Sequence, residues 1–386
     1  MKKVFMGIAL SSCSAMAFST EVLHGALSGV SGAGYATGDF SDGVLLNPSL
    51  LASGSPTKGG FSALLGFGAL ASDADDLTTQ AEDLTDLTDR IRNANSLTSS
   101  QASDVKLRLK DIDGDSANIN AGANFVLAFA SKENISAALV VNAFTQAALT
   151  PQVANSDLAL IDSFINKQWD PSNSVTGLKS TVNVRGAAIG EVGIALAKSF
   201  AIDDASRFQL GITPKRVSVE TFVYNTSVAD YEDDGWDADQ YRTSKSAMNF
   251  DIGALYVRDK YRVGLTAKNL KNQEYKTIIP NENIEVKRQL NASAGYVNGA
   301  LTTEVALDLN AVPTLGGFGN TQYLRAGVSY TVLKFVHLRA GLQQDLKNTQ
   351  SDSFSVGLGL GSVLNLSYIS GGEKTQGFAL SGGFRF

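Results

Sequence analysis

Few side chains in this sequence are suited to catalysis. Histidine occurs twice, as His24 and His337, and cysteine once, as Cys13. That argues against a multi-histidine metal centre and against a Cys-x-x-Cys redox or zinc site. His337 with serines nearby is the raw material of a hydrolase. Yet no Gly-x-Ser-x-Gly occurs and no partner for the imidazole is apparent. The sequence therefore predicts no catalytic residue, no cofactor and no metal, and His337 reads as a neighbour of Arg339 on a polar face.

Two acidic groups come next. Asp111, Asp113 and Asp115 begin like an EF-hand loop, but Ser116 replaces the turn glycine and Gly122 the bidentate glutamate, which leaves a solvated polar turn. Asp230, Glu232, Asp233, Asp234, Asp237 and Asp239 surround Trp236. This reads as a solvated loop, with divalent-cation binding near lipopolysaccharide as the alternative. Gly32-Ala33-Gly34 is no phosphate loop, because no Lys-Ser/Thr follows it. A net charge of −6 supplies no basic footprint for nucleic acid.

The elements that carry these residues are strands. From residue 58 onward, apolar residues alternate with small or polar ones. Ile119, Ala121, Ala123, Phe125, Leu127 and Phe129 share one face, with Asn118, Asn120, Gly122 and Asn124 on the other. The pattern predicts strands near 58–70, 118–130, 134–147, 184–200, 206–220, 247–257, 261–270, 286–297, 301–311, 321–331, 335–345, 352–360, 363–370 and 374–386. Short links (131–133, 201–205, 258–260, 298–300, 332–334, 361–362) alternate with the longer ones (71–117, 148–183, 221–246, 271–285, 312–320, 346–351), with 371–373 tight. A transmembrane barrel shows that alternation, and its strands need about 9–11 residues to cross. The expected fold is all-β, a fourteen-stranded antiparallel transmembrane barrel over 58–386. Within the first long link, 71–117, Leu77, Leu84, Leu87 and Ile91 at helical spacing predict an amphipathic helix over 76–95.

The ends agree with this. Lys2 and Lys3, the apolar run Val4 to Leu10, and Ala15-Met16-Ala17 predict a signal peptide over 1–17. An alternative is lipidation at Cys13, in the box Leu10-Ser11-Ser12-Cys13. The last strand alternates up to Phe384 and Phe386, the aromatic ending that resembles the signal read by the barrel-assembly machinery. Within 18–57, the run Ser28 to Ala52 is rich in small residues. It holds Gly32 and Gly34, an acidic step at Asp39 and Asp42, and Asn47-Pro48, whose proline biases Asn47 to extended backbone. Such a segment can fold back into a lumen as a plug that gates it.

That run resembles the N-terminal hatch of the FadL/TodX superfamily of fourteen-strand barrels, whose motif is Asn-Pro-Ala; here Ser49 stands in the third place. The chain as a whole is similar to the branch labelled conjugal transfer protein TraF. A thioredoxin-like transfer protein shares that label, but this chain has no Cys-x-x-Cys. The resemblance implies a Gram-negative outer-membrane protein, with both termini in the periplasm, that takes up hydrophobic small molecules passively. The rival reading is a surface barrel of plasmid conjugation or mating-pair assembly, or an outer-membrane scaffold, without transport. Expected partners are outer-membrane lipid, the assembly machinery, a hydrophobic ligand and, on the rival reading, conjugation-apparatus proteins. Arg262, Lys268, Lys287, Glu304, Asp308, Arg325, His337 and Arg339, with Arg385, fall on the wet face and are expected in the lumen. Mixed charge there can brace a plug; it does not define an ion filter.

Overall fold

The structure is a computed structural model. It describes residues 15–18, 22–54, 60–73, 76–94, 98–131, 134–167, 179–227, 239–280, 282–314, 319–333, 335–361, 363–372 and 374–385. Fourteen antiparallel strands close a barrel. They are β1 Gly60–Ser72, β2 Ala117–Ala130, β3 Ser136–Gln152, β4 Thr181–Ala201, β5 Ser206–Ser227, β6 Arg242–Arg258 and β7 Tyr261–Lys268. The other half is β8 Gln289–Asn298, β9 Leu301–Asp308, β10 Tyr323–Val332, β11 Val336–Asp345, β12 Ser353–Leu360, β13 Leu364–Gly371 and β14 Gln376–Arg385. Each strand pairs with its sequence neighbours. The last pairs with the first, from Gln376 opposite Ala71 to Arg385 opposite Ser62. Closure leaves no strand edge facing lipid, where unpaired backbone groups would cost several kcal/mol each, as an order of magnitude.

The period-2 pattern sets the register. Outward positions carry Leu65 and Phe67 on β1, Ile119 and Phe129 on β2, Val263 and Leu265 on β7, and Phe354, Val356 and Leu358 on β12, all exposed. Inward positions on the same strands are mostly small or polar, such as Ser62, Gly66, Asn120, Asn124, Gly264, Ser355 and Gly357, with Arg262 and Lys268 as the charged members on β7. Tyr256, Tyr261, Tyr296 and Tyr330 stand at the short-turn end of this apolar band, and the Tyr261 and Tyr296 rings lie 5.4 Å apart. Amphipathic rings at that level suit a membrane–water boundary.

The wall is uneven. β4 and β5 run for 21 and 22 residues, whereas β7, β9, β12 and β13 have 8 each. Beyond Pro214 the outward positions of β5 turn polar, at Arg216, Ser218 and Glu220, so this side rises past the apolar band. The strand runs to Ser227, beyond the expected end at 220, and its inward face is still buried there at Thr221 and Val223.

The long-loop end adds three helices: α1 Leu77–Ala94, α2 Ser99–Asp111 and α3 Asn155–Ile165. α1 lies where the spacing predicts a helix. α2 and α3 were not predicted; α2 is started by a capping box between Thr98 and Gln101. The 271–285 link is not simply an outer loop. Gln273–Lys276 and Asn283–Val286 form a hairpin that buries Tyr275, Ile284 and Val286 against Phe144, Ile189, Val217 and Val219 on the inner wall. Ala15–Phe18 pairs in parallel with Asn283–Val286, across the expected cleavage point. No described helix is long and apolar enough to cross a membrane.

Candidate functional site

Leu23 to Ser53 lies inside the barrel. Its short helical pieces, Gly25–Ser28, Gly43–Leu45 and Pro48–Ser53, leave most backbone groups without regular partners. The wall supplies many of them. Glu304 on β9 accepts from three successive backbone N–H groups, Tyr35 at 2.7 Å, Ala36 at 3.0 Å and Thr37 at 2.7 Å, and from the Thr37 hydroxyl at 2.7 Å. Asn124 donates to the Leu23 carbonyl at 2.9 Å, Gln209 to that of Ala52 at 3.2 Å, and Lys268 Nζ to that of Leu45 at 3.1 Å. Ser355 Oγ accepts from the Ser31 amide at 2.9 Å. Between these contacts Leu27, Phe40, Val44, Leu45 and Leu51 pack on Leu64, Val126 and Ala195 of the wall.

The Asn-Pro turn seats hardest. Asn47 Oδ1 accepts from the Ser49 amide at 3.1 Å and hydroxyl at 2.7 Å, and its Nδ2 donates to the Tyr35 carbonyl at 2.7 Å. Ser49, the departure from Asn-Pro-Ala, thus gives its buried hydroxyl a partner. Wall backbone touches this turn at two glycines. A Cβ on Gly253 would stand 1.9 Å from Asn47 Oδ1, and one on Gly211 2.3 Å from the Pro48 carbonyl carbon. Only glycine permits so close an approach.

The remaining predicted plug residues have these places. Gly32 takes a left-handed backbone, φ +74°, beside Arg325. Gly34 packs on Leu27 and Leu46. Asp39 forms an ion pair with Arg385, whose guanidinium also stacks on Phe40 at 4.8 Å. Asp42 is half-buried with its Oδ1 enclosed and unpartnered, and desolvation, helped by the Asp39 carboxylate, pushes its pKa up to about 7. His24 is buried with both ring nitrogens unpartnered; burial, helped by Arg339, pushes its pKa down to about 3.

Of the predicted lumen residues, Asp308 and Arg325 pair at 2.6 Å, with the guanidinium 4.8 Å over Tyr323. His337 Nδ1 lies 3.0 Å from Thr331 Oγ1. Arg339 lines the lumen with Nη1 buried and unpartnered, and Arg262 faces inward with its Nε in the same state. Lys287 differs: it stands in the link before β8 and pairs with Glu285 at 2.9 Å, because Asn283–Val286 is taken up by the hairpin. Phe384 points outward and is exposed. Phe386, Cys13, most of the expected signal peptide and most of the acidic loop around Trp236 lie outside the described residues. Asp113 accepts from the Val153 amide at 2.7 Å and serves the loop structure.

One cluster was not foreseen. Lys215 on β5 is buried between Glu191 on β4 at 2.7 Å and Asp251 on β6 at 2.9 Å. All three occupy inward positions of tall strands, and that parity is the signal that could have found them.

The plug divides the lumen. A cavity of about 440 Å³ at the short-turn end is lined by Asp39, Asp42, Glu304, His337, Arg339 and Arg385. Another of about 140 Å³ toward the long-loop end is lined by Tyr35, Asn120, Gln146, Asp308, Tyr323 and Arg325.

The family described as "F plasmid transfer operon, TraF, protein" matches residues 44–308, which span the end of the plug and nine barrel strands. The chain belongs to that family. Among solved structures, this TraF-family barrel is similar to a TodX monoaromatic hydrocarbon channel, the deltaS2S3 mutant. Identity is 11%, coverage is 96% of this chain and 100% of that one, and the TM-score is 0.53. The deltaS2 mutant of TodX (10% identity, 96% and 100% coverage, TM-score 0.42) and the CymD monoaromatic hydrocarbon channel (11%, 96% and 99%, 0.39) also align. The first likeness shows the fold: a closed barrel like that of the TodX channel. No curated protein sequence matches the chain.

Proposed function

We propose that this chain is a gated outer-membrane barrel for passive uptake of hydrophobic small molecules. Its short-turn end and both termini would lie in the periplasm of a Gram-negative cell. The carrying observation is that one tethered segment, Leu23 to Ser53, separates two lumen cavities inside an otherwise closed wall. It is held by hydrogen bonds, the Asp39–Arg385 ion pair and apolar packing, and the polar contacts exchange with water when the segment shifts. The substrate class is carried over from the hydrocarbon channels whose fold this chain shares. Assembly would follow the barrel-assembly machinery's reading of the last strand.

Deleting residues 28–46 is expected to leave a barrel that assembles, conducts more in planar bilayers, and lets a monoaromatic probe into lipid vesicles faster. Unchanged conductance and probe entry would overturn the gate. The second reading, a surface barrel of plasmid conjugation, is favoured by the family match and by helices α1, α2 and α3 at the long-loop end. Co-purification with transfer-pilus proteins, together with unaltered probe entry on deletion of the whole protein, would decide for it.

A further inference from the structure

The outer wall carries a groove of about 740 Å³, within the range of about 300–1,000 Å³ that small-molecule sites occupy. Its lining is apolar, led by Leu196, Leu210, Ile212, Ile252 and Leu265, with Lys198 as the charged member. The register explains the groove. Ala197, Gly211, Gly253, Thr266 and Asn291 are opposite one another in turn, a single hydrogen-bonding row across β4 to β8. Their side chains point inward and are small or short. At Gly211 and Gly253 the wall backbone rests on the Asn47-Pro48 turn of the plug. Seen from outside, this row is bare backbone, a crease between two banks of outward residues: Leu196, Ile212 and Ile252 on one side, Leu210, Ala254 and Leu265 on the other.

Lys198 is out of place on that surface. It projects outward between Leu196 and Phe200, all three exposed, three residues before β4 ends. Among the described outward positions of the fourteen strands, the other charges are Arg216, Glu220 and Arg242, beyond the apolar band, and Arg258 at a turn. Lys198 has no ion pair among the described residues; its ammonium lies 5.8 Å from the Phe200 ring. A cation on the lipid face is costly unless its stem carries it to the headgroup level, and there it attracts anionic lipid.

We propose that this groove holds an anionic phospholipid of the surrounding leaflet, with one acyl chain along the crease and its phosphate on Lys198. The charge pattern favours lipid over a second copy of the chain, because the described apolar band presents no outward carboxylate to meet the lysine. The site stands on the outer wall and is independent of whether the lumen conducts.

Native mass spectrometry of the full barrel, with added phosphatidylglycerol or phosphatidylcholine, tests it. Wild type is expected to retain phosphatidylglycerol in preference. Lys198→Gln should weaken that retention about fivefold, the order expected for one cation near the surface, while Arg216→Gln, an outward cation beyond the band, leaves it unchanged. Ala254→Trp, which fills the groove without touching charge, should lower retention of both lipids. Heat-modified gel mobility verifies that each variant is a closed barrel. Equal retention of the two lipids by wild type, unaltered in Lys198→Gln, would overturn the proposal, as would full retention by Ala254→Trp.

Discussion

At the residue scale, the plug is seated by groups whose protonation matters. Asp42 holds a raised pKa, about 7 against an ordinary 3.8, so the seated state binds a proton that the released chain gives up. Stability falls with rising pH wherever the folded state holds more protons than the unfolded one. For Asp42 that window runs from about pH 4 to pH 7, and the penalty is constant above it. His24 acts in the opposite sense: its pKa is lowered to about 3 from 6.5, so stability is lost as pH falls below about 6.5. Asp42→Asn isolates the first effect. Its stability relative to wild type, read from denaturant unfolding in lipid vesicles, should increase from pH 4 to pH 7 and level off above. A difference that does not change with pH would show that the Asp42 carboxylate is hydrated in the seated plug.

At the element scale, each strand must present one face to lipid and one to the plug. β10 shows this with adjacent residues: Leu324 is outward, and Arg325 is inward on Asp308. Leu324→Arg is expected to cost about 2–4 kcal/mol near the midplane, measured by reversible unfolding into urea. An apolar residue at 325 should be tolerated better, and equal losses would exclude the register. This division was legible in the sequence because alternation is a local, period-2 signal. Strand number and the closing pair of β1 with β14 followed from it, and the α1 helix from the separate helical spacing of Leu77, Leu84, Leu87 and Ile91. α2 was not legible because it is mostly polar and a capping box of one Thr and one Gln is a weak signal; α3 carries Leu158, Leu160, Ile161, Phe164 and Ile165 but is short and starts without a side-chain cap. The inward hairpin at 273–286 was hidden for another reason. Tyr275, Ile284 and Val286 are buried by Ile189, Val217 and Val219, residues far away in sequence. The same distance concealed the Glu191–Lys215–Asp251 cluster, whose members sit on three different strands.

At the scale of the whole molecule, the barrel is closed, plugged and taller on one side. The tall wall of β4 and β5 and the helices share the long-loop end, which the proposed orientation puts outside the cell. If the expected signal peptide over 1–17 is removed, Cys13, the one cysteine of the sequence, goes with it, so single introduced cysteines would report cleanly. On intact cells, a cysteine at Ser227, the end of β5, should react with an impermeant maleimide, and one at Asp259, in the β6–β7 turn, should not. The reverse pattern would invert the barrel.

The plug ends at Gly54 and β1 begins at Gly60, so very few residues join gate to wall. A short linker of this kind holds the joined segment at an effective concentration on the order of millimolar. Seating is then an intramolecular equilibrium. A plug whose separate contacts are modest still occupies the lumen nearly all the time, and once displaced it is never diluted away. On the proposed uptake reading, a permeant at micromolar levels would compete poorly with such a neighbour for the same contacts. It would bind where the plug does not, or pass in the intervals when the tethered segment lets go.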